Sequence, residues 1–228
     1  RQLTDFGGKT QTEKAFAIRH EANFTPSLFF YDRRGKLALK ISGYRPPYQF
    51  RAALEYVADL HHDKEEFHHY MARAEAAYSY GQDSLNEHPD FRSPARLARR
   101  HAGKNQRPLL VSFERIRCHA CDVLHAGPLQ NPQIRNLLQQ LDVVQLDMRQ
   151  ETPVITPAGK QLSSKEWAEQ LGLSYAPTLI FYDEAGNEIL RVDSVIGFYR
   201  LRGVLQYVTS KAYEQTPNFQ QWRPQSIK

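Results

Sequence analysis

Apolar positions in this chain follow two different periods, and the changeover points predict its elements. Over residues 109–208 three short apolar runs stand out: Leu109 to Phe113, Val143 to Met148 and Thr178 to Tyr182. Each is the length of a buried strand. Between them the spacing is helical. Ile134, Leu137, Leu138 and Leu141 share one face after an Asn131-Pro132 start, and Trp167, Ala168 and Leu171 share another after Ser163-Ser164. Leu201 to Val208 reads as a last helix. Asp183-Glu184-Ala185-Gly186 predicts a hairpin turn into Glu188 to Val192, and Gly159 a turn. A helix opens near Cys118, reaches about Leu124 and is disturbed by Gly127-Pro128. Upstream, Ser93-Pro94 starts a short basic helix to about His101, and Gly103 to Pro108 is a turn. The order is α-β-α-β-α-β-β-α. Helices between strands predict parallel pairing, with the hairpin adding an antiparallel edge.

Part of this pattern occurs twice. Thr25 to Gly35 lies over Ala176 to Gly186 at an offset of 151 with six of eleven positions identical. The register holds outward: Gly8-Lys9 meets Gly159-Lys160, Phe16-Ala17 meets Trp167-Ala168, and Tyr56-Val57 meets Tyr207-Val208. We read a duplicated module. The first copy's counterpart of residue 118 would fall ahead of Arg1, so residues 1–63 hold the C-terminal half of one module. Residues 92–228 hold a complete one, and 64–91 form a helical linker. In the first copy, the hairpin Leu28 to Asp32 and Lys36 to Ile41 is flanked by helices around Glu13 to His20 and Tyr48 to Leu60. Such a half-module leaves a sheet edge and the apolar face of Leu28, Phe29, Phe30 and Tyr31 to be completed by the second module, by upstream residues or by self-association. In the linker, Lys64 to Tyr80 predicts a helix and Gly81 to Asp90 a loop. His61, His62, His68 and His69 read as ordinary surface positions of a solvated linker, with metal binding as the alternative.

Composition narrows the class. The 228 residues are 41% hydrophobic and 24% charged, as in an ordinary soluble globular chain. No run approaches the ~18 apolar residues of a membrane span, so no stable membrane insertion is expected. The net charge is +5, and eight of the basic residues fall between Arg92 and Arg117 (Arg92, Arg96, Arg99, Arg100, Lys104, Arg107, Arg115, Arg117). A nucleic-acid surface around Arg96, Arg99 and Arg100 is one reading. The run lacks interleaved aromatics, so a solvated face is preferred and no nucleic-acid partner is expected. The N-terminus shows no signal-peptide pattern, and the chain opens at Arg1 as if cut from something longer.

The chemistry sits in Cys118-His119-Ala120-Cys121, the only two cysteines. Thiols at i and i+3 at a helix start lie ~5 Å apart in Cα, within disulfide reach. Free N–H groups and the helix dipole favour a thiolate on Cys118, the expected nucleophile; Cys121, one turn in, is the resolving thiol. Arg115, Arg117 and His119 add positive charge and should lower the Cys118 pKa further. Two inert core cysteines, or a metal site using His119 and His125, are the competing readings; the metal site lacks ligands. No cofactor is required.

With strand before, helix after and Pro177 opening a later strand, residues 92–222 resemble the thioredoxin fold, and within it the SoxW-type thioredoxin-related proteins of bacteria. The carrying motifs are Phe113-Glu114 before the cysteine pair, Val144-Gln145-Leu146-Asp147, Ala176 to Asp183, and Tyr207-Val208 with Tyr213. The resemblance implies a mixed α/β sheet flanked by helices and a thiol-disulfide oxidoreductase exported to the periplasm. It acts on partner-protein thiols and disulfides with an upstream electron donor. It also implies a cis bond before Pro177, with the Ala176 backbone facing the disulfide, and by the same match a cis bond between Thr25 and Pro26. The sequence departs from thioredoxins in three places. Arg117 stands where they carry Trp, and Ala120 replaces their Pro. Ser112 replaces the buried Asp, for which Glu114, two residues on and on the same face, is the substitute. An adaptor whose peptide-binding surface matters more than its redox centre is the alternative function.

Overall fold

The structure is a computed structural model that describes residues 1–76, 84–91, 97–98, 106–193 and 195–222. The expected helix from Ser93 to His101, the basic residues Arg92, Arg96, Arg99, Arg100 and Lys104, and the end of the expected helix beyond residue 76 lie outside the described residues.

In chain order the first segment contains β1 (Gln2–Thr4), β2 (Thr10–Thr12), α1 (Glu13–Arg19), β3 (Ser27–Tyr31), β4 (Leu37–Ser42), α2 (Pro47–Ala58) and α3 (Phe67–Ala76). After it come β5 (Leu109–Glu114), α4 (His119–Ala126), α5 (Pro132–Leu138), β6 (Asp142–Asp147), β7 (Pro153–Ile155), β8 (Gln161–Ser163), α6 (Ser164–Gln170), β9 (Thr178–Tyr182), β10 (Glu188–Val192), α7 (Phe198–Thr209) and α8 (Phe219–Trp222).

The central sheet runs β10-β9-β5-β6. β5 pairs in parallel with β6, but β9 is antiparallel to β5 and to β10. The expectation that every helix-linked pair is parallel therefore holds only for β5 and β6. The chain passes through the β7–β8 hairpin as well as α6 on its way to β9, so β9 enters from the opposite end. These three-residue strands are too short to show a period, which is why Gly159 alone marked them.

Side chains alternate across the sheet and fill two cores. Leu110, Leu179 and Phe181 face α5 and α7, against Ile134, Leu138, Leu201 and Leu205. Leu109, Val111, Phe113 and Ile180 face the other way, against Trp167 and Ala168 of α6. Local signals fix the helix starts. Asn131 caps α5 with Pro at its first turn, and Ser163 and Glu166 form a reciprocal capping box on α6.

The first segment repeats the later one in detail. β1, β2, α1, β3 and α2 each sit 151 residues before β7, β8, α6, β9 and α7. Both Thr25–Pro26 and Ala176–Pro177 are cis. The Tyr56 hydroxyl donates to the Glu65 carbonyl at 2.6 Å, and the Tyr207 hydroxyl to that of Thr216 at 2.6 Å. Among the described residues β3 pairs only with β4, so the hairpin keeps a free edge and its five residues are half-buried, whereas β9 is wholly buried.

The later segment covers part of this half. Phe24 enters the core beside Phe219, their rings 5.7 Å apart. Arg45 donates to the Asp193 carbonyl, lies 3.4 Å from the Asp193 carboxylate, and places its guanidinium 4.2 Å from the Tyr175 ring centre. Arg200 donates to the Thr25 carbonyl at 2.7 Å.

The stretch 84–91 is a loop, as expected, but it is tied down. Asn86 donates to Asp122 and accepts at its carbonyl from Gln145, each at 2.9 Å, and Asp90 pairs with Arg135. His61, His62 and His68 are half-buried, not surface positions; only His69 is exposed. His68 and His69 lie on α3, which packs on α2 through Tyr56, Phe67 and Tyr70. Among the described residues no group of three or more His, Cys, Asp or Glu could hold a metal ion, and no helix is long and apolar enough to cross a membrane.

Candidate functional site

The cysteine pair sits where β5 hands over to α4. After Glu114 the chain turns through Arg117, whose φ of 56° reverses its direction in the left-handed region. Cys118 is then extended and becomes the N-cap, and its Sγ accepts the Cys121 N–H at 3.1 Å. The two cysteines form a disulfide with Cα atoms 5.2 Å apart, matching the i,i+3 geometry. Both are buried, with Cys118 4% exposed.

The loop before β9 meets them. The Ala176 carbonyl oxygen lies 3.5 Å from Cys118 Sγ, and Ala176 packs with the pair, Ala120 and Met148 in a small apolar cluster. Pro177 follows in cis. Of the supporting residues, Arg117 and His119 are exposed on either side of Cys118, and Arg115 is half-buried. All three line the groove above the disulfide.

Glu114 lies on the same face as Ser112, but it is not a lone acid. It is fully buried, accepts from the Ser112 hydroxyl at 2.7 Å, and holds His125 Nε2 at 3.0 Å from both carboxylate oxygens. His125 lies one turn after Cys121 on α4, at i+4. From the sequence alone, His125 offers itself only as a metal ligand beside His119. The available signal was its spacing from Cys121 combined with an acid on the preceding strand. Behind it His88 is also buried, its ring centre 5.9 Å from that of His125. The Asp90 N–H donates to His88 Nδ1 at 3.3 Å, and Nε2 faces the Leu129 carbonyl at 3.4 Å. Burial holds the His88 pKa below the usual histidine range. Across the sheet from Glu114, burial pushes the Asp147 carboxyl up, with the Glu114 charge adding to it.

The groove over the disulfide has a volume of about 600 Å³. Its far wall is Tyr44, Pro46 and Gln49, at the β4–α2 junction of the first segment. Nothing in the cysteine motif pointed to those residues.

A four-stranded mixed sheet, a disulfide at the start of a helix and a facing cis-proline loop define a thioredoxin-like protein. The thioredoxin-like domain family model matches residues 1–58 and 96–209, and the chain belongs to that family. Among solved structures, it is similar to a thioredoxin-fold protein from Helicobacter pylori at 14% identity and a TM-score of 0.48, over 60% of this chain and 86% of that one. It is similar to a DsbH oxidoreductase at 17% identity and a TM-score of 0.39, over 57% and 95%. A mutant thioredoxin from Halobacterium salinarum NRC-1 matches at 17% identity and 0.34, over 54% and 96%. No curated protein matches the chain.

Proposed function

We propose that this protein is a protein thiol-disulfide oxidoreductase working through Cys118 and Cys121. The supporting observation is the disulfide itself, capping α4 with the Ala176 carbonyl 3.5 Å from Cys118 Sγ. In the reduced state the Cys118 thiolate attacks a target disulfide. A bond forms between Cys118 and one target sulfur, and the other target sulfur leaves as a thiolate and takes a proton. The Cys121 thiol, deprotonated, then attacks Cys118 Sγ and expels the second target thiolate. Two electrons and two protons have passed to the target, and Cys118–Cys121 is oxidised. A dithiol donor reverses this by the same exchange. The Glu114–His125 pair positions α4 beneath Cys121.

The finer reading is a SoxW-like protein, exported to the periplasm, in which part of the thioredoxin-like module is duplicated. The sequence resemblance supports the subtype and the compartment. The coincident elements at a 151-residue spacing support the duplication. Residues 1–63 contain no cysteine.

The test is insulin reduction with dithiothreitol as the electron source, together with the potential of the Cys118/Cys121 couple. Catalysed turnover lost in Cys118→Ser is the expected result, and the potential separates a reductant from an oxidant. Binding of target peptides without turnover would replace this reading with that of an adaptor.

A further inference from the structure

Cys118 lies at the floor of a cleft that only the two segments together enclose. The 600 Å³ groove abuts a second cavity of about 320 Å³, and Arg115, Tyr175 and Ala176 line both. The two therefore flank the Ala176 backbone. The first segment forms the far side of each: Tyr44, Pro46 and Gln49 over the disulfide, His68, His69 and Ala72 over the other.

This wall is anchored rather than merely adjacent. Arg45 stands between Tyr44 and Pro46, its side chain 5% exposed, stacked on Tyr175 and bonded to Asp193. The anchoring is reciprocal. Arg200, the residue equivalent to Gln49, donates to the carbonyl of Thr25, the residue equivalent to Ala176. Each segment thus presents the start of its α2 or α7 helix to the proline loop of the other. Among the described residues, the Ala176–Pro177 loop is the one with a disulfide beside it.

We propose that the first segment is the specificity wall of the redox site, and that the cleft takes an extended, acidic polypeptide segment carrying the target disulfide. This deepens the oxidoreductase reading and rests on it. Shape argues for an extended chain: with Cys118 4% exposed at the floor, a flat folded surface cannot bring its sulfur into contact, and two abutting cavities suit a strand better than a compact small molecule. Charge argues for acid. The linings carry Arg115, Arg117, Arg149 and Lys165, the last paired with Glu151 at 3.1 Å, and one acid, Glu169. The apolar part, Tyr44, Pro46, Val123 and Val195, suits the side chains next to the cysteine.

Binding and turnover test this separately. Binding is read by the anisotropy of labelled peptides in which serine replaces each cysteine, one flanked by glutamates and one by lysines, added to the oxidised full chain. The glutamate peptide should bind at least about tenfold more tightly at low ionic strength, with the contrast shrinking as salt is raised. Tyr44 is 55% exposed, so its removal should spare the fold, and Tyr44→Ala should weaken glutamate-peptide binding about tenfold. Arg117→Glu should bring the two peptides to within about twofold of each other. Equal binding of both peptides by the unmodified protein, no binding at all, or binding unchanged by Tyr44→Ala would overturn the proposal. Turnover is read with hydroxyethyl disulfide, which is small and uncharged. Failure to reduce it defeats the oxidoreductase reading while the binding results still decide the wall. Reduction of it alongside charge-blind peptide binding defeats the wall alone.

Discussion

Glu114 grips His125 with both carboxylate oxygens, each 3.0 Å from Nε2, in the layer between β5 and α4. Glu114 is fully buried and His125 5% exposed, so the carboxylate and Nε2 satisfy each other away from water. Truncating His125 leaves the buried Glu114 with the Ser112 hydroxyl alone. We expect His125→Ala to lose about 3–5 kcal/mol of stability in urea titrations. A loss under about 1 kcal/mol would show that the pair does not hold α4 in place.

The order of the cysteines gives a trapping prediction. Cys118 caps the helix at the groove, while Cys121 lies deeper, at 1% exposure. Cys121→Ser should accumulate stalled mixed disulfides with targets on non-reducing gels, and Cys118→Ser should capture nothing. The reverse pattern would exchange the nucleophile and resolving roles.

His88 sets a pH dependence. Burial depresses its folded pKa, so as pH falls below ~6.5 the unfolded chain takes up a proton there that the folded chain refuses. Stability present at neutral pH is therefore lost on acidification through that range. His88→Gln, which has no such proton to refuse, should lose less between pH 7.5 and pH 5.5 (roughly a hundredfold change in proton activity) when denaturation midpoints are compared. Parallel losses in both proteins would contradict this assignment.

Two contacts test how firmly the segments are joined. Phe24→Ala removes a buried ring from the later segment's core and should destabilise by about 3 kcal/mol or more. Arg45→Ala removes the Tyr175 stack and the Asp193 bonds, at about 2 kcal/mol. Limited proteolysis should then cut the Arg45→Ala protein faster near the β4–α2 junction. Unchanged cleavage would mean the wall is held by other contacts.

Much of the fold was legible because its signals are local. The runs at Leu109, Val143 and Thr178 became β5, β6 and β9, and the Asn131 and Ser163 caps started α5 and α6. The hairpins β1–β2 and β7–β8 were missed because three residues carry no readable period. Three of the four linker histidines are better buried than a polar run suggests, since α3 and the turn before it pack on α2 through aromatic neighbours.

By itself the sequence determined the disulfide-capable cysteine pair and its helix-capping place, because spacing along one turn fixes both. It also carried matching residues at a constant offset of 151, which is visible in one dimension. The tertiary structure alone decided that β9 runs antiparallel to β5, that His125 answers Glu114, and that Tyr44 and Gln49 stand over Cys118. Arg45 and Asp193 are 148 residues apart. Contacts at that range depend on how packed layers come to rest against each other, and no local period or cap encodes them.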